Sequence, residues 1–203
     1  MGSTESLGTE GVKLSKLTSA TAFGDMRSEG VSVATVRGYQ SVGRVDPNLA
    51  ATVANAWDAG MAHVDVYQFP NFAGGNAAGQ ADTLVNHLQD KDVKYGMVWL
   101  DVSGPGSYWG SSTSANAAFL ADWFTAMKRN GVSVGICTSA SDWEGIVGSY
   151  TGGSAYPLWY TERNGKQNFD DFTPFGGWSK PNVKTYAVAE LFGVGVERTW
   201  YPN

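Results

Sequence analysis

Cysteine and histidine are scarce in this chain of 203 residues, which has one cysteine, Cys137, and two histidines, His63 and His87. A single cysteine cannot form a disulfide within the chain, and it cannot supply a cysteine-based metal site. The two histidines are too few and too far apart along the sequence to indicate a metal cluster. We therefore expect no metal and no cofactor.

Basic clusters and long apolar runs are also lacking. The chain has 14 lysines and arginines against 19 aspartates and glutamates, with a formal net charge of -5. A nucleic-acid partner is not expected, because its recognition needs clustered basic side chains. No apolar run approaches the roughly 18 residues of a membrane-spanning helix, and residues 1–6 lack the apolar core of a signal peptide. We expect a monomer with no membrane partner, and the localisation stays open.

Strand-like and helix-like segments alternate along the chain, and the strands are valine-rich, as is typical of buried parallel strands. Five strand–helix units followed by three strands predict a single-domain α/β fold, a TIM-like (β/α)5β3 barrel over residues 9–203 after a flexible leader at residues 1–8. The right-handed crossover rule favours a parallel arrangement, and a doubly wound open sheet is the alternative. The predicted strands are 11–14, 31–38, 62–69, 95–102, 132–138, 157–161, 183–187 and 195–200, and the predicted helices are 20–29, 47–59, 77–89, 115–129 and 141–147.

The stretch from Trp99 to Trp109 is the most informative part of the sequence, because it reads as a buried strand that ends in an acid beside an aromatic turn. Barrels of this class carry their active sites at the carboxyl ends of the strands. Asp101 and Ser103 point to the same side, since side chains alternate along a strand. A polysaccharide hydrolase normally has two carboxyl groups at such a place. Here the second position is a serine.

Polar and aromatic side chains also follow the other predicted strands, and we expect them to converge on one cleft. Aromatic side chains near these strand ends suit stacking on sugar rings, although core packing explains many aromatics in any domain. The strand-end candidates are Lys13, Arg37, Tyr39, Asp65, Tyr67, Cys137, Tyr160, Glu162, Lys184, Tyr186 and Glu197.

Several long motifs occur in a fixed order along nearly the whole chain. They include Val36-Arg37-Gly38-Tyr39-Gln40, His63-Val64-Asp65-Val66-Tyr67, Tyr95-Gly96-Met97-Val98-Trp99-Leu100-Asp101 and Tyr156-Pro157-Leu158-Trp159-Tyr160. With these motifs the chain resembles the glycoside hydrolase family 25 lysozymes, in particular the small group from protists, fungi and nematodes. The resemblance implies the (β/α)5β3 barrel, a secreted lineage, and cleavage of the bond between muramic acid and glucosamine in peptidoglycan.

The catalytic residues of that family carry over only in part. Its first strand usually reads Gly-Val-Asp with a catalytic Asp, whereas this chain has Gly11-Val12-Lys13. Its fourth strand usually ends Asp-x-Glu with the Glu as proton donor, whereas this chain has Asp101-Val102-Ser103. The late Asp of the family corresponds to Glu197, and its fifth-strand tyrosine to Cys137. A serine hydroxyl is too weak an acid to protonate a glycosidic oxygen, so we expect impaired hydrolysis.

Three interpretations of the site follow. In the first, the chain keeps a cleft that binds peptidoglycan or chitin fragments. In the second, Lys13 forms a Schiff base with a carbonyl substrate, as in an aldolase, in a repurposed or redesigned barrel. In the third, residual muramidase activity uses Asp101 with Asp65 or Glu197. The simplest role for Lys13 is an ion pair with Asp101 or Glu197. The expected substrate-binding residues are Arg37, Tyr39, Tyr67, Tyr108, Trp109, Tyr160, Lys184 and Tyr186.

Overall fold

The computed structural model describes residues 8–203, and residues 1–7, which hold all but the last residue of the predicted leader, lie outside the described residues. Strands and helices alternate through most of the described part. The strands are β1 (Gly8–Leu14), β2 (Val31–Gln40), β3 (Arg44–Val45), β4 (His63–Gln68), β5 (Val98–Val102), β6 (Val134–Thr138), β7 (Leu158–Thr161), β8 (Val183–Leu191) and β9 (Val194–Pro202). The helices are α1 (Ala20–Ser28), α2 (Leu49–Asp58), α3 (Ala77–Asp90), α4 (Thr113–Arg129) and α5 (Ala140–Val147).

Eight of these strands close into a barrel. Strand β1 pairs with β2 on one side and with β9 on the other, and the order around the ring continues through β8, β7, β6, β5 and β4 back to β2. The two-residue strand β3 pairs with β2 outside the ring. Each of the first five barrel strands is followed by a helix and the last three are not. This confirms the (β/α)5β3 barrel, and the closed ring excludes the doubly wound open sheet.

The parallel arrangement does not extend to the last strand. Strand β9 runs antiparallel to both β8 and β1. Only Phe192 and Gly193 separate β8 from β9, with φ angles of 51° and 77°. A two-residue turn with positive φ at both positions joins antiparallel strands, because a parallel crossover needs a dozen or more residues. The reversal brings Glu197 to the rim where the other strands end, opposite Lys13 of β1.

Strand side chains alternate between the inside of the barrel and the layer beneath the helices. In β5, Trp99 belongs to a small cluster inside the barrel, and Asp101 continues that face. The alternate residues Val98, Leu100 and Val102 belong to the large core between barrel and helices. A side chain can therefore reach the barrel mouth only if it lies on the inner face of its strand.

Helix α5 begins immediately beyond β6, so its first turn forms part of the barrel rim. The Ser139 side chain caps this helix by accepting a hydrogen bond from the Asp142 backbone N–H at 3.1 Å. Such a cap satisfies a backbone donor that the helix leaves unpaired. The cap fixes Asp142 and its neighbours at the carboxyl ends of the strands.

Within residues 8–203, none of the helices combines the length and apolar character required to span a bilayer.

Candidate functional site

A polar cleft of about 690 Å³ opens at the carboxyl ends of the parallel strands. This is the end where barrels of this class place their active sites. Its lining residues are Lys13, Tyr67, Phe69, Asp101, Ser103, Cys137, Thr138, Ser139, Ser141, Asp142, Thr161, Glu162, Arg163 and Glu197.

The ammonium group of Lys13 lies at the centre of the cleft floor. Its Nζ atom lies 2.6 Å from Asp101 Oδ2 and 3.2 Å from Glu197 Oε2. The rings of Tyr67 and Trp159 face the same atom, with centroids 4.6 and 5.5 Å away. Carboxylates and aromatic faces both attract a cation. The floor of the cleft is thus a cation site that the chain fills with its own lysine.

Asp101 is engaged on both of its carboxylate oxygens. Oδ2 accepts from Lys13, and Oδ1 accepts a hydrogen bond from Ser103 Oγ at 2.7 Å. Asp101 is only 6% exposed, so these two groups replace most of its contact with water. The structure brings Asp101, Ser103 and Lys13 together in the cleft.

The turn after β5 holds Ser103 in place. Gly104 has φ 75°, and a Cβ atom there would meet the Tyr108 ring at 2.5 Å. Only glycine tolerates this conformation at low cost. The buried Trp109 donates from Nε1 to the Ser103 carbonyl at 3.1 Å and packs against Phe119. Trp109 therefore supports the turn from beneath and does not line the cleft.

The charges of the cleft shift the pKa values of Lys13 and Glu197 in opposite directions. Burial by itself lowers the pKa of Lys13, but the carboxylates of Asp101 and Glu197 raise it well above the usual lysine value. Burial by itself raises the pKa of Glu197, but Lys13 and Arg163 bring it below the usual glutamate value. Opposite charges at short range favour the charged forms of both partners. Lys13 is therefore a protonated cation at neutral pH.

These shifts predict how stability depends on pH. Because the pKa of Glu197 is lowered in the folded state, its contribution is present above the ordinary value of about 4.3 and is lost as the pH falls through the lowered one. Because the pKa of Lys13 is raised, its contribution is present below about 10.4 and is lost as the pH rises through the raised one. The free energy of unfolding, measured with urea across a range of pH values, should show both losses. The variant Glu197→Gln should lose less stability on acidification, and an acid limb equal to that of the unaltered chain would contradict the assignment.

Cys137 is inert in this setting. Its Sγ atom lies 3.8 Å from Lys13 Nζ, and burial raises the pKa of the thiol far above its usual value. Burial also raises the pKa of Tyr67, to about 12. Thiol reactivity needs the thiolate. Both side chains shape the cleft floor in their neutral forms.

Asp65 is on the inner face of β4 but at the opposite end of the barrel. It lines a separate cavity of about 430 Å³ with His63, Trp99 and Tyr201. Its carboxylate accepts hydrogen bonds from the Met97 backbone N–H at 2.9 Å and from Trp99 Nε1 at 3.0 Å, and lies 2.7 Å from His63 Nε2. The structure therefore does not bring Asp65 to Asp101, to which the interpretation with residual activity joined either Asp65 or Glu197.

Three predicted substrate-binding residues lie on the outer faces of β7 and β8. Lys184 is fully buried and binds Asp171 Oδ1 at 2.9 Å, and Tyr160 donates to the same atom at 2.8 Å. Tyr186 donates to Glu10 Oε1 at 2.6 Å. The contacts of Lys184 and Tyr160 with Asp171 attach the segment after β7 to the outside of the barrel, and the contact of Tyr186 joins β8 to β1. The structure does not bring these three side chains into the cleft, and only Tyr160 lines the smaller pocket beside it.

The remaining predicted substrate-binding residues, Arg37, Tyr39, Tyr67 and Tyr108, differ in how close they lie to the cleft. Tyr39 is buried beneath the helices, and Arg37 binds Asp46 at 2.7 Å outside the cleft lining. Tyr108 is 48% exposed, and its ring lies 4.8 Å from that of Phe69, which lines the cleft. Of the predicted set, Tyr67 lines the cleft and Tyr108 borders it.

Sequence reasoning missed Arg163 and Asp142. Arg163 forms an ion pair with Glu197, and Asp142 lies in the first turn of α5. Both come a few residues beyond a strand end, where the chain has already entered a loop or helix. The signal that could have found them is the position of the rim loops, since loops at strand ends carry function.

Comparison with known proteins agrees with the barrel fold. Residues 5–186 match the family model described as Lysozyme-like protein 1. The chain is 47% identical over 193 residues to Probable GH family 25 lysozyme 2 of Dictyostelium discoideum, covering 95% of this chain and 90% of that protein. It is 30% identical to Lysozyme-like protein 5 of Caenorhabditis elegans, covering 95% and 91%. A family GH25 lysozyme from Aspergillus fumigatus has the same fold, with a TM-score of 0.78 at 16% identity over 97% of this chain and 94% of that one.

Proposed function

The chain belongs to the lysozyme-like proteins of glycoside hydrolase family 25, and from this we propose that it binds a peptidoglycan-type glycan in the cleft but hydrolyses it poorly. Its fold and its relatives support a muramidase-like function. The contacts of Lys13 in the cleft are the observation that supports poor hydrolysis.

Lys13 occupies Asp101 and Glu197, the two carboxylates of the cleft that residual hydrolysis would use. Glycosidases of this kind use one carboxyl group as proton donor and a second as nucleophile, base or charge stabiliser. Here Asp101 and Glu197 both bind the Lys13 ammonium. A fixed positive charge between them opposes the positive charge that develops on the sugar in the transition state. The lysine therefore stabilises the folded site at the expense of the reaction.

Ser103 is a second reason to expect poor hydrolysis. Its hydroxyl donates to Asp101 at 2.7 Å and has no acidic proton to give to a glycosidic oxygen. General acid catalysis typically contributes about 10²–10⁴ in rate. The residual pair of Asp101 with Glu197 lacks a free carboxyl group, and the pair of Asp101 with Asp65 is divided between two ends of the barrel. Both routes to residual activity are weak.

The Schiff-base interpretation has less support than the ion pair. A Schiff-base lysine reacts as the neutral amine, which needs a lowered pKa. The pKa of Lys13 is raised instead, because Asp101 and Glu197 outweigh the effect of burial. The ion-pair interpretation is supported by the contacts of Lys13 Nζ with Asp101 and Glu197.

Two measurements on one preparation test the proposal. The Trp159 ring lies 5.5 Å from Lys13 Nζ on the cleft floor, so fragments of peptidoglycan or chitin at millimolar concentration should change the tryptophan fluorescence. Cell-wall suspensions should clear at least about 10²-fold more slowly than with a lysozyme that has both carboxyl groups free. An absence of binding at millimolar fragment would contradict the cleft assignment, and clearing at an ordinary lysozyme rate would contradict impaired hydrolysis.

A further inference from the structure

The cleft continues sideways into a second pocket of about 300 Å³. This side pocket lies between the rim of β7 and the segment that follows it. The residues that line both cavities are Ser139, Ser141, Thr161 and Glu162. The rest of the side pocket adds Thr173 with the rings of Tyr160, Phe172 and Phe175. Hydroxyls beside aromatic faces are the surroundings that suit a sugar ring.

The cleft and the side pocket form one continuous groove, and each cation that lines it already forms an ion pair with a carboxylate. Lys13 binds Asp101 and Glu197, and Arg163 binds Glu197. These four side chains are neutral as a group. In the side pocket, Asp171 is neutralised by the buried Lys184 behind it. None of these pairs leaves a positive charge facing a ligand.

Two carboxylates remain in excess. Glu162 is exposed at the junction of the two cavities, and Asp142 is half-buried in the wall of the larger one. Neither has an ion-pair partner within 4.0 Å among residues 8–203. A concave surface with one sign of excess charge attracts ligands of the opposite sign. The groove therefore favours a cationic ligand of carbohydrate shape.

We propose that the preferred glycan is a de-N-acetylated amino-sugar polymer whose ammonium groups pair with Glu162 and Asp142. This rests on the proposed function, because it names the class of glycan for the same cleft. Muramic acid carries a lactyl carboxylate wherever no peptide is attached to it, and the excess negative charge disfavours that group. An N-acetylated sugar is neutral and forms no ion pair with either acid. A free amino sugar offers the hydroxyls, the ring and the positive charge together.

Tryptophan fluorescence titrations with glucosamine hexamer and N-acetylglucosamine hexamer test this preference. At mildly acidic pH and low salt, the glucosamine hexamer should bind about fivefold more tightly, as expected for partly exposed ion pairs. At about 1 M salt, where the Debye length falls to about 3 Å, the two affinities should converge. Glu162→Gln should reduce the preference, whereas Glu144→Gln, on the exposed face of α5 outside both cavities, should preserve it.

The outcomes separate the two proposals. Equal affinities at low salt, or tighter binding of the acetylated hexamer, would overturn the preference for cationic sugars and leave the glycan cleft standing. A preference that survives Glu162→Gln unchanged would overturn the assignment to the junction. Absence of binding by both hexamers and by peptidoglycan fragments would overturn the proposed function itself.

Discussion

The double variant Lys13→Asp with Ser103→Glu should hydrolyse peptidoglycan about 10²–10⁴-fold faster than the unaltered chain. Replacing Lys13 removes the ammonium that holds Asp101 and Glu197, and it adds a carboxylate where the family resemblance predicts a catalytic Asp. Ser103 Oγ lies 2.7 Å from Asp101, so a glutamate at this position would stand beside a second carboxyl group. Repulsion between two carboxylates raises the pKa of one of them, which makes it a proton donor near neutral pH.

Clearing of a cell-wall suspension measures this gain in rate. A matched variant tests whether the gain comes from proton donation. Lys13→Asp with Ser103→Gln has a side chain of the same size at position 103 but no acidic proton. Circular dichroism should show that both double variants are folded. If the glutamate variant clears the suspension no faster than the glutamine variant, the missing proton donor at position 103 does not explain the poor hydrolysis of the unaltered chain.

The single variant Lys13→Met should lower the free energy of unfolding by about 3–5 kcal/mol at neutral pH. Methionine keeps most of the aliphatic length of the lysine but leaves Asp101, 6% exposed, without its counter-charge. Glu197 keeps Arg163, so most of the cost comes from Asp101. An uncompensated buried charge costs more than the lost attraction alone, because water no longer solvates it. Urea unfolding followed by fluorescence measures the difference.

Two companion variants interpret that measurement. Lys13→Met with Asp101→Asn removes the stranded charge and should recover most of the stability. Lys16→Met, at an exposed lysine whose Nζ lies 3.4 Å from the Gly193 carbonyl oxygen, should change the free energy of unfolding by no more than about 0.5 kcal/mol. A loss below about 1 kcal/mol for Lys13→Met would mean that water reaches Asp101 and that the pair is not a buried one.

The alternation of strands and helices was predictable because it depends on local pattern. Predicted strand 31–38 became Val31–Gln40, and predicted helix 115–129 became Thr113–Arg129. The antiparallel direction of β9 was not predicted, although Phe192-Gly193 is the two-residue link that decides it. An aromatic residue at positive φ is uncommon, so this turn carries a weak sequence signal.

The inward or outward direction of strand side chains was harder to predict. Parallel strands of a barrel are buried on both faces, so their apolar residues do not alternate with polar ones. Tyr160 and Lys184 therefore looked equivalent to Tyr67, yet they point beneath the loop after β7 while Tyr67 points into the cleft. The polarity of a side chain alone does not show whether it lies on the inner or the outer face of its strand.

The sequence by itself determined the barrel and the mouth at which to look, and its resemblance to the family predicted that Lys13 and Ser103 stand in place of two acids. Only the tertiary structure decided that Lys13 binds both Asp101 and Glu197, that Asp65 faces the other end, and that Glu162 and Asp142 remain in excess. The physical reason is the closure of the barrel. Contacts such as Lys13 with Asp101, 88 residues apart, depend on strand order, stagger and direction, which no local pattern encodes.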